Sequence, residues 1–225
     1  MTALVIFDCD GVLVDSEIIS TAVLVEALAR HGIAIEASHV LEHFIGHPYA
    51  VVAGKIAAIA GAPLPVSFEA TYRAQLLRRF TMELRPMPGI LHMLDDLGVP
   101  YCAATSSSPE RAHHSLRAAG LADRFGARVF TVSMVARPKP APDLFLHAAN
   151  AMGAEPEDCI VVEDSDLGIM AAQAAGMTAW QFTGGSHYAA SHRQRAAEIK
   201  PDRSFHTMAE FFAGAPHLRR RRPPD

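Results

Sequence analysis

Residues 4–16, Leu-Val-Ile-Phe-Asp-Cys-Asp-Gly-Val-Leu-Val-Asp-Ser, constrain this chain more than any other stretch. Leu4 to Phe7 are apolar and mostly β-type, which predicts a short strand buried on both faces inside a parallel sheet. The strand ends in Asp8-Cys9-Asp10-Gly11. That places two carboxylates where the carboxyl end of a strand opens into a crevice, the usual ligand position of an open α/β sheet. Side chains alternate along a strand, so Asp8 and Asp10 share a side and Cys9 points elsewhere. Gly11 lets the backbone turn sharply at the site. Two like charges this close are costly unless a cation lies between them or one carboxylate keeps a proton.

The rest of the chain fits such a sheet. After residue 15, helical spacings run over 16–30, 38–44, 49–60 and 67–80, and no strand pattern occurs before residue 81. A purely helical block after the first strand reads as an inserted cap. Beyond Pro86 strands and helices alternate. Strands are expected at 101–104, 128–132, 159–162 and 178–182, with helices at 90–97, 110–119, 144–152 and 167–175. This order predicts a doubly wound, Rossmann-like α/β core with right-handed crossovers and an all-helical insertion. The expected division is a catalytic core of residues 1–15 and 82–215, a cap of 16–81, and a flexible basic tail of 216–225.

The bulk numbers exclude several classes. At 225 residues with a formal net charge of −4, the chain lacks the basic footprint of a nucleic-acid or anionic-membrane binder. No stretch approaches the roughly 18 apolar residues of a membrane span. The N-terminus lacks a basic n-region, and its apolar run is short for a signal peptide. Cys9, Cys102 and Cys159 lie in or beside apolar strand patterns and read as reduced core thiols, so a cytoplasmic location is expected. The oligomeric state, monomer or dimer, is left open.

Polar groups recur where the expected strands end: Asp8 and Asp10, then Thr105 with Ser106, then Lys139 on a proline-braced loop, then Glu163 and Asp164. In a parallel sheet these ends open on one edge and converge. A paired carboxylate, a hydroxyl at a helix start, an ammonium and a second acidic pair are what phosphoryl transfer requires. Asp8 is the candidate nucleophile, forming an acyl phosphate. Asp10 is the candidate general acid and then base; holding it protonated at pH 7 costs about 4 kcal/mol, which a dry, closed site must supply. Thr105 is the candidate phosphate donor, joined by the amides of Ser106 and Ser107 and by Lys139; helix capping is the competing use of the hydroxyls. Asp164, with Glu163, is the candidate metal pair, and hard oxygen ligands favour Mg²⁺. His39, His43 and His47 are spaced by four, but Gly46 and Pro48 interrupt the helix. His113, His114 and His187 read as surface or core residues, and Gly184-Gly185 is too short for a phosphate cradle.

These motifs together resemble the haloacid dehalogenase-like hydrolase superfamily, specifically its β-phosphoglucomutase-like group with a helical cap. The resemblance runs over roughly residues 4–182. It rests on Asp8-x-Asp10-Gly-Val-Leu-Val-Asp-Ser, Ala104-Thr105-Ser106, Pro138-Lys139-Pro140-Ala141-Pro142-Asp143 and Val162-Glu163-Asp164-Ser165. It implies Asp8 as nucleophile, Asp10 as acid/base, Thr105 and Lys139 on the phosphoryl group, and Mg²⁺ held by Asp8, the Asp10 backbone carbonyl and Asp164. It also implies that Gly11, the Asp15-Ser16-Glu17 segment and the Gly46-His47 loop reach the substrate. Mutases of the group carry a hinge His where this chain has Ser20, and a cap Arg near where it has His47-Pro48-Tyr49. The expected function is therefore hydrolysis of a small phosphorylated metabolite, such as a sugar phosphate. A phosphosugar mutase is the alternative. A dehalogenase would lack Asp10, and a phosphoacceptor signalling domain would be about half as long and lack the insertion.

Overall fold

The computed structural model describes residues 2–190 and 199–220. The first strand, β1 (Leu4–Phe7), is followed by four helices: α1 (Glu17–Ala29), α2 (Ala37–His43), α3 (Tyr49–Ala60) and α4 (Phe68–Glu83). Strand and helix then alternate: α5 (Ile90–Asp96), β2 (Tyr101–Thr105), α6 (Pro109–Ala118), α7 (Ala122–Phe125), β3 (Val129–Thr131), α8 (Asp143–Met152), β4 (Cys159–Glu163), α9 (Asp166–Ala174) and β5 (Thr178–Phe182). The described chain closes with α10 (Ser186–Ala190), β6 (Arg203–Phe205) and α11 (Phe211–Gly214).

All strand pairs are parallel, in the order β3-β2-β1-β4-β5-β6. β1 is central because every residue in it is buried, leaving neither an edge nor a face for water. Its alternation sends Val5 and Phe7 into one apolar cluster and Leu4 and Ile6 into the other, so each face of the sheet has its own core. The chain moves outward from β1 to one side through β2 and β3, and to the other through β4, β5 and β6. The switch point thus lies between β1 and β4, and the crevice opens beyond their carboxyl ends. The four insertion helices leave at this edge; α1 packs on α4, and α4 on the core helix α6.

Element types over 4–182 follow the sequence reading, with shifts of a few residues at helix ends. The structure departs from it in three places. The sheet has a sixth strand, β6, where the sequence suggested that β5 was last; Arg-Ser-Phe is too short to show alternation. The helices α7, α10 and α11 were also not expected. The supposed tail is not free over 216–220. Leu218 is buried, Gly98 N donates to its carbonyl, and Arg219 pairs with Asp96, its Nη2 2.6 Å from the carboxylate. The remainder of the expected tail, 221–225, lies outside the described residues.

This anchoring gives a test. Leu218→Ala should lower the unfolding free energy by about 2–5 kcal/mol, as for other buried leucines. Arg219→Ala, which removes a largely exposed ion pair, should cost under about 1 kcal/mol. Urea denaturation of the two variants checks the ranking.

Candidate active site

Asp8 continues from β1, and its amide still donates to the Val162 carbonyl at 2.9 Å, so the backbone cannot drift where the carboxylate projects. The side chain meets Lys139, whose Nζ lies 2.6 Å from Asp8 Oδ1, 2.7 Å from Glu163 Oε1 and 3.1 Å from the Ala104 carbonyl. Those three acceptors match the three hydrogens of an ammonium. Lys139 is buried and also lies over the Phe145 ring. Lys139 cannot be removed from this triad without leaving two buried carboxylates uncompensated, a loss of the kind that typically costs about 3–5 kcal/mol. Burial, with help from Glu163 and Asp164, presses Asp8 towards its protonated form, and Lys139 opposes it.

Glu163 holds the lysine in place. Its Oε1 accepts from Lys139, while Oε2 accepts from the Ser165 amide at 2.8 Å and the Ser165 hydroxyl at 2.9 Å. Both oxygens are engaged, and through Oε1 Glu163 orients Lys139. The carboxylate fits because residue 168 is glycine: a Cβ there would stand 1.8 Å from Glu163 Oε1.

Asp10 is surrounded by donors. Its Oδ1 accepts from Ser16 Oγ at 2.6 Å and from Arg111 Nη2 at 2.8 Å, and its Oδ2 accepts from Ser107 Oγ at 2.6 Å. Burial works against the charged form, but Arg111 and the two hydroxyls overcome it and hold the carboxyl below its ordinary range. Arg111 Nη2 also reaches Ser20 Oγ at 3.1 Å, and the guanidinium lies over the Phe80 ring.

The loop after β2 is built by its hydroxyls. Thr105 Oγ1 accepts from the Ser107 amide at 3.1 Å, so it keeps its own hydrogen to donate. That commits the Ser107 amide, expected at the phosphate, to the loop itself, and the Ser107 side chain to Asp10. Ser108, and not Thr105, caps α6, ahead of Pro109 in its first turn. Ser106 lines the cavity.

Asp164 is buried, and its Oδ2 makes no hydrogen bond although His187 Nε2 stands 3.1 Å away. Burial, then Glu163, raises its proton affinity. A buried carboxylate oxygen without a hydrogen bond, at the same strand edge as Asp8, is a fit for a cation. Among the described residues no three His, Cys, Asp or Glu side chains form a ready-made metal cage. Asp164 and nearby Asp8 offer a sparse set of carboxylate oxygens, which suits an ion that keeps several waters. Gly11 is required beside it: φ is 79°, and a Cβ there would lie 2.1 Å from Asp164 Oδ2.

Together these groups line one cavity of about 540 Å³ between the sheet edge and the helical insertion. Asp8, Asp10, Thr105, Ser106, Ser107, Lys139, Glu163 and Asp164 form its core side, with Glu17, Gly46 and His47 on the insertion side. Leu24, Val52, Tyr72 and Leu76 make the insertion wall largely apolar. The Gly46 turn reaches across, since a Cβ there would lie 3.1 Å from Ser165 Cβ. His47 Nε2 lies 3.0 Å from Lys55 Nζ. Burial raises the Glu17 carboxyl to about 7, with Asp10 adding to the effect. The Asp15-Ser16-Glu17 segment divides: Ser16 serves Asp10, Asp15 accepts from Ser186, and only Glu17 faces the cavity. Arg111, Ser20 and His187 were not identified as site residues from sequence. The polar Arg111, one turn into a helix that starts at a strand end, was the only available hint.

The family model for haloacid dehalogenase-like hydrolases matches residues 2–176. The 6-phosphogluconate phosphatase of Escherichia coli is 32% identical over 184 residues, covering 81% of this chain and 83% of that protein. The fructose-1-phosphate phosphatase of the same organism is 32% identical over 176 residues, covering 77% and 93%. A crystal structure of a haloacid dehalogenase-like protein of unknown function from Agrobacterium tumefaciens superposes with a TM-score of 0.83 at 32% identity, covering 97% of this chain and 99% of that one.

Two outcomes follow from the geometry. Gly168→Ala should displace Glu163 and, through it, Lys139. A reaction centre misplaced by about 1 Å loses on the order of 100-fold in rate, so kcat on an aryl phosphate should fall at least tenfold. Glu17 supplies a pH dependence. An unfolded Glu releases its proton near pH 4.3, whereas folded Glu17 retains it to about 7. Its contribution to stability therefore falls as pH rises across that window and is level above it. In metal-free protein, Glu17→Gln should raise Tm more at pH 8 than at pH 5.

Proposed function

The chain belongs to the haloacid dehalogenase-like hydrolase family and is a phosphatase; from that premise we propose that it hydrolyses small sugar phosphates with Mg²⁺, through a phosphoryl group carried on Asp8. The observation that carries the reading is the buried contact of Lys139 with both Asp8 and Glu163 in the lining of a cavity large enough for a phosphorylated sugar. Two relatives named for sugar phosphates support the substrate class.

In this reading Asp8 attacks phosphorus as the ester oxygen leaves with a proton from Asp10. Water then attacks the aspartyl phosphate, and Asp10 takes the proton back. Lys139 holds positive charge beside the transferring group. Thr105 Oγ1, its lone pair engaged by the Ser107 amide, donates to a phosphoryl oxygen with the Ser106 amide. Asp8, Asp164 and the Asp10 backbone carbonyl would hold Mg²⁺. When bound, the ion supplies charge neutralisation at the phosphoryl oxygens. Asp10 must trade its Arg111 contact when it carries the proton. Residues 16–81 act as a cap: their apolar wall excludes water from the acyl phosphate and raises the strength of each charge contact. The buried, free Cys9, Cys102 and Cys159 support a reducing compartment such as the cytoplasm. Among the described residues no helix is long and apolar enough to cross a membrane.

Hydrolysis of fructose 1-phosphate, 6-phosphogluconate and p-nitrophenyl phosphate, followed by phosphate release, tests the proposal. Activity should require Mg²⁺ and vanish in excess EDTA, and Asp8→Asn should lose at least about 1,000-fold, as expected on removing a covalent nucleophile. Turnover that survives either change contradicts it.

A further inference from the structure

The sequence holds a motif that the chemistry above leaves unused: Gly184-Gly185-Ser186-His187-Tyr188. In the structure three consecutive side chains of this segment, at the start of α10, reach the site or its hinge. The Ser186 amide donates to Asp15 Oδ1 at 3.1 Å, and the Ser186 hydroxyl donates to Asp15 Oδ2. His187 is buried, with Nε2 3.1 Å from Asp164 Oδ2. The Tyr188 hydroxyl donates to the Asp164 carbonyl and accepts from Gln181 Nε2 at 2.8 Å. Asp15 is the last residue before the helical insertion, and α10 itself packs on α1 and α2 of that insertion.

The glycines explain how the imidazole gets there. It is wedged between two backbones: a Cβ at Gly185 would lie 2.6 Å from His187 Cε1, and one at Gly11 3.1 Å from the same atom. Gly184 is equally confined, since a Cβ there would lie 2.1 Å from the His206 carbonyl oxygen. Gly185 and Gly11 thus form a slot for the His187 side chain, while Gly184 lets the backbone pass close to His206.

We propose that residues 184–188 are a positioning clamp that holds Asp164 for the metal ion and ties it to the hinge at Asp15, so that metal affinity and the placement of the helical insertion are set together. The inference rests on the Mg²⁺ reading above. Its physical basis is that a carboxylate ligand binds well only when its neighbours fix its orientation, and loss of such a neighbour typically weakens metal binding 10–100-fold. Ser186 does not line the cavity, so any effect it has on the metal must pass through α10 or through the Asp15 hinge that it holds.

The test is a Mg²⁺ titration of the full chain followed by thermal shift and by calorimetry, with kinetics alongside. Gly185→Ala and His187→Ala should raise the apparent Mg²⁺ Kd about tenfold or more. His187→Gln, which keeps a donor, should recover part of that. Ser186→Ala should raise Kd several-fold and leave kcat at saturating Mg²⁺ within about threefold of the parent, a split that general loosening of the fold would not produce. If His187→Ala does not fold, Gly185→Ala and Ser186→Ala decide. Folded variants that bind Mg²⁺ within twofold of the parent overturn the clamp. A parent protein that neither binds Mg²⁺ nor hydrolyses phosphate esters overturns the reading beneath it, and the two failures are distinct.

Discussion

The ammonium of Lys139, enclosed between Asp8 and Glu163, is the interaction on which the rest of the site depends. A buried lysine is stable only with its hydrogens matched to acceptors, and here the acceptors come from the ends of β1, β2 and β4. These strands are adjacent in the sheet, so the triad also records that their carboxyl ends are level. Any slip of register would break it. Glu163 takes part only because Gly168 leaves room in the first turn of α9. The fold and the charge pattern are therefore one constraint seen from two sides.

The two carboxylates that follow β1 are placed in opposite electrostatic settings. Asp8, with Lys139 alone to offset burial and two further acids, is pushed up; Asp10, with Arg111, Ser16 and Ser107 around it, is pushed down. These settings run against the proposed roles, so the nucleophilic form of Asp8 calls for a cation beside it, and Asp10 must exchange its Arg111 contact for a proton. The helical insertion contributes to both. Ser16 and Ser20 come from its first residues, Arg111 lies over Phe80 of α4, and its apolar face closes the cavity.

Much of this was legible in the sequence because it is local. The run from Leu4 to Gly11 carries the strand, the turn and both carboxylates within eight positions, and each later strand end shows its polar group as a break in an apolar pattern. What was not legible depends on pairs brought together only by folding. Arg111 meets Asp10 across 101 positions of sequence, and a lone arginine on a helix usually faces solvent. His187 lies beside Asp164 only because β4 and β5 are neighbours, and no spacing rule announces that. Glu163 and Asp164 are adjacent in sequence, yet at the strand end they point apart, one towards Lys139 and the other towards His187. The C-terminal segment looked free because its arginines are charged; Leu218 beneath them decides otherwise.

The account stands on Asp8 as the atom that receives the phosphoryl group. The most direct measurement is acid quench of the protein during turnover of a sugar phosphate, followed by peptide mass spectrometry. One phosphoryl group on the peptide containing Asp8, absent from Asp8→Asn and lost on mild base treatment, is the predicted result. Active protein that never carries phosphate on that peptide, and whose turnover survives Asp8→Asn, would contradict it.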